Sequence, residues 1–147
     1  MNEQVIFHLA FPITDISKAK EFYADGLGAE VGRESQDAVI FNFYGNQIVA
    51  HVTREPINPQ KGIYPRHFGL VFNSLVDWET MLDRAKTHNL NFYQQPKHRF
   101  PNLPIEHRTF FLIDPFSNIL EFKFYSQSSA IFGEHNSTQI GDIVAHK

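Results

Sequence analysis

The sequence predicts an α+β chain built from two tandem copies of one β-α-β-β-β module. Three observations predict it. A short apolar run with one histidine opens each half, Val5-Ile6-Phe7-His8-Leu9-Ala10-Phe11 in the first and Arg66-His67-Phe68-Gly69-Leu70-Val71-Phe72 in the second. Each run is followed by a polar cap and an amphipathic helical pattern, over 15–27 and 74–89. Each half then closes on an apolar run with one residue able to bind a metal, His51 in the first and Glu121 in the second. One histidine in a strand is explained by a hydrogen bond in the core. Two at matching places point to a common cause, and a shared metal is the cause they fit.

Val5 to Phe11 reads as a strand ended by Pro12. Thr14 or Asp15 caps the next helix, because either side-chain oxygen can accept from an orphan N–H of the first turn. Ile16, Ala19, Phe22, Tyr23 and Leu27 recur at helical spacing, with Lys18, Lys20, Glu21 and Asp25 on the other side. Gly26 and Gly28 stop it. A short strand over 30–32 precedes Ala38 to Tyr44, and Gly45-Asn46 turns the chain into Gln47 to Val52. Residues 53–65 hold Pro56, Pro59, Gly62 and Pro65, and form a linker or a loop folded over something.

In the second half, His67 to Phe72 is the matching strand, and Ser74 caps a helix with the apolar stripe Leu75, Trp78, Met81, Leu82 and Ala85. A short strand over 91–94 leads to a polar loop over 95–106. Two further strands, over 108–113 and 118–125, are joined by the turn Asp114-Pro115-Phe116-Ser117. The modules span 4–55 and 64–126. Each is too small to bury an adequate core alone, so together they make one domain over 4–126. Residues 127–147 are a polar tail, in which Ile131 and Phe132 can dock on the body.

The 147 residues are 42% apolar, enough for a packed interior, and the 15 phenylalanines fit a sheet-rich core or an aromatic-lined cavity. A net charge of −3 without a basic block gives no nucleic-acid footprint. The absence of cysteine removes disulfides, thiolate metal sites and cysteine nucleophiles together. No apolar run is long enough to span a bilayer, and residues 1–4 lack the marks of a signal peptide, so the expected location is cytoplasmic.

Strands hold side chains stiffly, so imidazole and carboxylate groups from several strands can set a metal site before the ion arrives. His8, His67 and Glu121 make two histidines and one carboxylate, the facial set of non-haem iron. His51 adds a fourth ligand or a base. A glutamate flanked by Leu120 and Phe122 that points inward needs a cation. His98 is a candidate acid or base, Arg99 an anion clamp, Phe43 a pocket wall, and Tyr125 a candidate substrate contact.

Several segments carry a family likeness: Phe7-His8-Leu9-Ala10; Glu21-Phe22-Tyr23 with Gly26-Leu27-Gly28; Arg66-His67-Phe68-Gly69; and Asp114-Pro115-Phe116-Ser117-Asn118-Ile119-Leu120-Glu121-Phe122. In this order they resemble the vicinal oxygen chelate superfamily, which includes glyoxalase I, bleomycin resistance proteins and extradiol dioxygenases. The resemblance implies a curved mixed sheet around a metal cleft and a homodimer. It implies a divalent ion, Fe²⁺ first, with Mn²⁺, Zn²⁺ or Ni²⁺ as alternatives. The implied activity is dioxygenase-like, on a small substrate that chelates through adjacent oxygens. The alternatives are a glyoxalase-like lyase or isomerase, and a non-catalytic antibiotic-binding protein. Two departures stand out. His51 falls where glyoxalase I has a glutamate, and Phe111 where extradiol enzymes have a tyrosine, which leaves Tyr44, Tyr93 or Tyr125 to supply the phenol. A 2+ ion on three neutral imidazoles and one carboxylate leaves a net +1, which favours an anionic or catecholate substrate.

Overall fold

The computed structural model describes residues 5–141; Met1–Gln4 and His146 lie outside them. The first module is β1 (His8–Ile13), α1 (Ile16–Lys20), β2 (Glu30–Glu34), β3 (Ala38–Phe43) and β4 (Asn46–Val52). The second is β5 (Phe68–Phe72), α2 (Leu75–Thr87), β6 (Phe92–Arg99), β7 (His107–Ile113) and β8 (Ile119–Tyr125). Each module forms its own four-stranded mixed sheet, in the orders β1-β4-β3-β2 and β5-β8-β7-β6. In both, the opening strand pairs parallel with the closing strand, and the other pairings are antiparallel.

Local chemistry sets the element ends. The Asp15 carboxylate accepts from Lys18 N at 2.9 Å, and the Ser74 hydroxyl accepts from Asp77 N at 3.1 Å. The first helix is shorter than its apolar spacing implies: after Lys20 it widens into a π-helical turn over Glu21–Gly26. The β3–β4 turn centres on Tyr44 and Gly45 rather than Gly45 and Asn46, because Phe43 and Asn46 form the last pair. Both central residues have positive φ, 54° and 92°, the primed-turn geometry that suits the twist of a hairpin. β6 continues through Pro96 to Arg99, where the sequence reads as a loop. It is an edge strand, and an edge position tolerates proline because no ladder donor is lost there.

One apolar core joins the modules. Phe11, Tyr23, Phe41 and Phe43 from the first pack with Trp78, Phe110, Leu120 and Phe122 from the second. Trp78 Nε1 donates to the Phe122 carbonyl at 2.9 Å, so the indole is buried with its polar edge satisfied. Across the modules, the Tyr23 hydroxyl donates to Asp114 Oδ2 at 2.7 Å, and Asn118 Nδ2 donates to the Pro12 carbonyl at 2.9 Å. Beyond β8 the chain makes a short turn at Ser128–Ala130, and Gly141 lies against Tyr64. Phe132 does not dock; it is 93% exposed.

Candidate metal centre

Strand periodicity gives the second sheet two faces of different character. Phe122 and Phe124 of β8 pair with Phe110 and Arg108 of β7 on the side that carries α2. On the other side Glu121, Lys123 and Tyr125 pair with Phe111, Thr109 and His107, and Arg99 of β6 pairs with His107. The loop between the modules folds onto this second face, where Ile63 packs against Phe111 and Ile119. Gln60 pins the loop by donating to the Gly62 and Arg66 carbonyls.

His67 and Glu121 meet on that face. His67 Nε2 is 3.0 Å from Glu121 Oε1, and His67 Nδ1 donates to the Ile63 carbonyl at 2.7 Å. A carbonyl only accepts, so Nδ1 carries the ring hydrogen and Nε2 presents its lone pair toward a carboxylate oxygen. Two lone pairs at that distance need a cation between them, a proton or a metal ion. The hydrogen bond to Glu121 holds the His67 imidazole above its ordinary range, against partial desolvation. Burial pushes the Glu121 carboxyl up, but His67, Lys123, Thr109 and Arg99 together hold it below the usual carboxylate range.

The donor pair fits a divalent ion. Two bonds of about 2.1 Å at a right angle span about 3.0 Å, the separation observed here. The second carboxylate oxygen is already engaged: Thr109 Oγ1 donates to Oε2 at 2.6 Å and Arg99 Nη1 lies 3.5 Å from it. Oε1 is thereby left facing His67. Such outer hydrogen bonds orient ligands and set tautomers at metal sites.

His107 completes the outer group. Its Nδ1 donates to the Ile105 carbonyl at 2.9 Å, so Nε2 accepts from Arg99 Nη1 at 3.3 Å. Burial pushes this imidazole below its ordinary range, and the Arg99 charge acts in the same direction. Arg99 is 7% exposed and also lies over the Phe111 ring at 5.9 Å.

The remaining sequence candidates lie elsewhere. His8 stands on the open face of the first sheet, exposed, with Nδ1 donating to Gln47 Oε1 at 2.7 Å. Its Nε2 lone pair therefore points outward, as the other tautomer would not allow. His51 is also exposed, but it sits four residues beyond the Gln47 level, about 13 Å along the strand at ordinary rise. The register also revises its equivalence to Glu121. Glu121 pairs with Gly69, two residues after His67; two residues after His8 is Ala10, whose partner is Val49. The first module therefore carries Val49, not His51, in the place of Glu121. His98 pairs with Arg108 on the face opposite Glu121 and contacts Glu106. Phe43 is 1% exposed and packs against Phe122 in the shared core, away from the site. Among the described residues, no group of three or more His, Cys, Asp or Glu side chains is gathered for a metal.

Sequence reasoning misses Thr109 and Lys123. The alternation of β8 carries the signal for Lys123, since every second residue from Glu121 shares its face. For Thr109 only the pairing of β7 with β8 reveals it.

The profile of the Glyoxalase/Bleomycin resistance protein/Dioxygenase superfamily matches residues 5–122. The chain belongs to this superfamily. Among solved structures, a glyoxalase/bleomycin resistance protein/dioxygenase from Alicyclobacillus acidocaldarius is 36% identical. The match covers 90% of this chain and 100% of that one, with a TM-score of 0.83. The fosfomycin resistance protein FosX from Listeria monocytogenes is 15% identical over 86% of this chain and 97% of that one, with a TM-score of 0.66. A glutamate-to-glutamine mutant of it, complexed with Mn(II) and 1S,2S-dihydroxypropylphosphonic acid, is 16% identical over 87% and 93%, with a TM-score of 0.62. The FosX likenesses show the glyoxalase-superfamily fold. Among curated proteins no match is found. Among the described residues of this superfamily chain, no helix is long and apolar enough to cross a membrane.

Proposed function

We propose that this glyoxalase-superfamily chain is a divalent-metal enzyme acting on a small anionic substrate that chelates through adjacent oxygens. His67 and Glu121 are the donors from one chain, and His8 of a second copy completes the set. The observation that carries this reading is the His67–Glu121 pair, with its tautomer fixed by Ile63 and its spare carboxylate oxygen held by Thr109. His8 supports the second half: its ring is anchored by Gln47 and turned outward, just after the exposed apolar run Val5, Ile6 and Phe7.

A bound ion would act as a Lewis acid on the chelated oxygens. Thr109 and Arg99 hold the Glu121 carboxylate in one orientation, and Ile63 and Phe111 shield the His67 ring from water. Lys123 and Tyr125 offer donors on the same face. Val49 leaves no carboxylate base at the first-module position, which weighs against glyoxalase-type proton transfer. The Mn(II) in the FosX complex supports Mn²⁺ beside Fe²⁺ as the ion. The second reading is an Fe²⁺ dioxygenase acting on a catecholate, favoured by the two-histidine, one-carboxylate set. In it Tyr125 takes the part of the phenol, because Phe111 is fully buried against His67.

The test is elemental analysis of untagged protein purified without oxygen, beside His8→Ala and Glu121→Gln. Both variants should lose the metal while keeping the fold. Mixing the two variants should restore part of it, because a mixed pair rebuilds one intact site. Metal-free wild-type protein after reconstitution would end the proposal, and metal retained by His8→Ala would remove the second copy from it. Iron with oxygen uptake on catechols selects the dioxygenase reading. Tight ligand binding without turnover would make the chain a sequestering protein.

A further inference from the structure

Lys123 and Tyr125 follow Glu121 at every second position of β8, so all three side chains stand on the face that holds the donor pair. Lys123 Nζ lies 3.9 Å from Glu121 Oε1, the oxygen turned toward His67, and donates to the Tyr125 hydroxyl oxygen at 3.0 Å. The ammonium also sits 5.3 Å over the Tyr125 ring. The Lys123 side chain keeps 24% of its surface exposed, against 6% for Glu121. The cation is therefore held from two sides and still reachable. Arg99 is engaged differently, with Oε2 of Glu121 and with His107.

A lysine fixed this close to a divalent ion repels it, and the repulsion is strong where water is partly excluded. Such a placement becomes favourable when an anion lies between the two cations. The charge count gives the size of that anion. Arg99 is buried against Oε2 and His107, so it is not among the charges a substrate can touch. Of those, a 2+ ion on Glu121 leaves +1, matched by one negative charge on the chelating oxygens, and Lys123 adds a second positive charge to be met. We propose that Lys123, steadied by Tyr125, is a specificity residue that selects a dianionic substrate, with its second acidic group a carbon or two from the chelating oxygens. This rests on the metal reading above. The Tyr125 oxygen accepts from Lys123, so its own O–H is directed away from the ammonium and remains available to donate to a second acidic group.

Two probes separate charge from chelation. Malate and 2-hydroxybutyrate share a hydroxy-carboxylate end and a four-carbon chain, and differ by one carboxylate. Binding of each to the Mn²⁺-loaded protein is measured by calorimetry for the wild type, Lys123→Met and Tyr125→Phe. The wild type should prefer malate by about tenfold or more. Lys123→Met should reduce that preference to about twofold or less by weakening malate, while Mn²⁺ alone binds at least as tightly as to the wild type, because the repelling charge is gone. Tyr125→Phe should fall between. Equal loss of both ligands in Lys123→Met, or a wild type that binds both alike or neither, overturns the inference and leaves the metal reading standing. A wild type that binds no Mn²⁺ fails one step earlier and removes the metal reading as well.

Discussion

Thr109 shows how much the proposed metal site depends on a residue that would not touch the ion. Its hydroxyl is the short partner of Glu121 Oε2, and without it one buried carboxylate oxygen loses its closest donor. Thr109→Val should lower metal affinity about tenfold or more and destabilise the protein by about 1.5–3 kcal/mol. Metal titration and urea unfolding read the two effects. His107 gives a pH dependence of known sign. Its folded value lies below the ordinary 6.5, so between the two values the unfolded chain binds more protons. Its contribution to stability is present above that window and falls as the pH drops through it. Metal-free His67 works in the opposite direction, stabilising below its ordinary value and losing that contribution as the pH rises through its raised one. His107→Gln should therefore lose less stability than the wild type between about pH 7.5 and about pH 5.5 in urea unfolding. His67 and Glu121 are legible from their places in the repeat. Thr109 is not, because a threonine in an apolar strand reads as an ordinary strand former until the partner strand is known.

The elements are more legible than their contacts. Capping residues and apolar periods place both helices and all eight strands to within a few residues, because those signals are local. β1, however, starts at His8 and runs through Pro12 to Ile13, where the sequence reads Pro12 as its end, since an edge strand tolerates proline. Register is not local. Equating His51 with Glu121 requires knowing which residue faces which across a parallel pair, and a shift of two positions keeps the face while moving the level. β6 reads short in the sequence because Pro96 looks like a breaker until the strand is known to lie at the edge. Gly69 is the element-scale test. A methyl there would fall 1.7 Å from the Glu121 carbonyl oxygen, so β5 and β8 could not keep their pairing. Gly69→Ala should cost about 4 kcal/mol or more, read as a melting temperature lower by roughly 10 °C.

At the scale of the molecule, the two modules are one packing unit. The rings of Phe43 and Phe122 meet across it, and Tyr23 reaches from the first module to Asp114 in the turn between β7 and β8. Tyr23→Phe keeps the ring and removes only the hydroxyl. It should destabilise the protein by about 1.5–3 kcal/mol, the range for a hydrogen bond to a charged group, with a single unfolding transition in urea. Fifteen phenylalanines foretell a sheet-rich interior, but not which of them serve it. Phe43 goes to the core and Phe111 to the site face, a division decided by strand parity rather than residue type.

On the proposed reading, His8, anchored by Gln47 and turned outward, has a thermodynamic consequence. A centre that borrows this imidazole from a second copy links metal binding to association by mass action. Dilution would then strip the ion from a chain that is still folded, and adding the ion would draw the copies together by the same factor. A chelator would act as a dissociating agent, and the metal affinity measured for this protein would have no single value until the protein concentration is stated beside it.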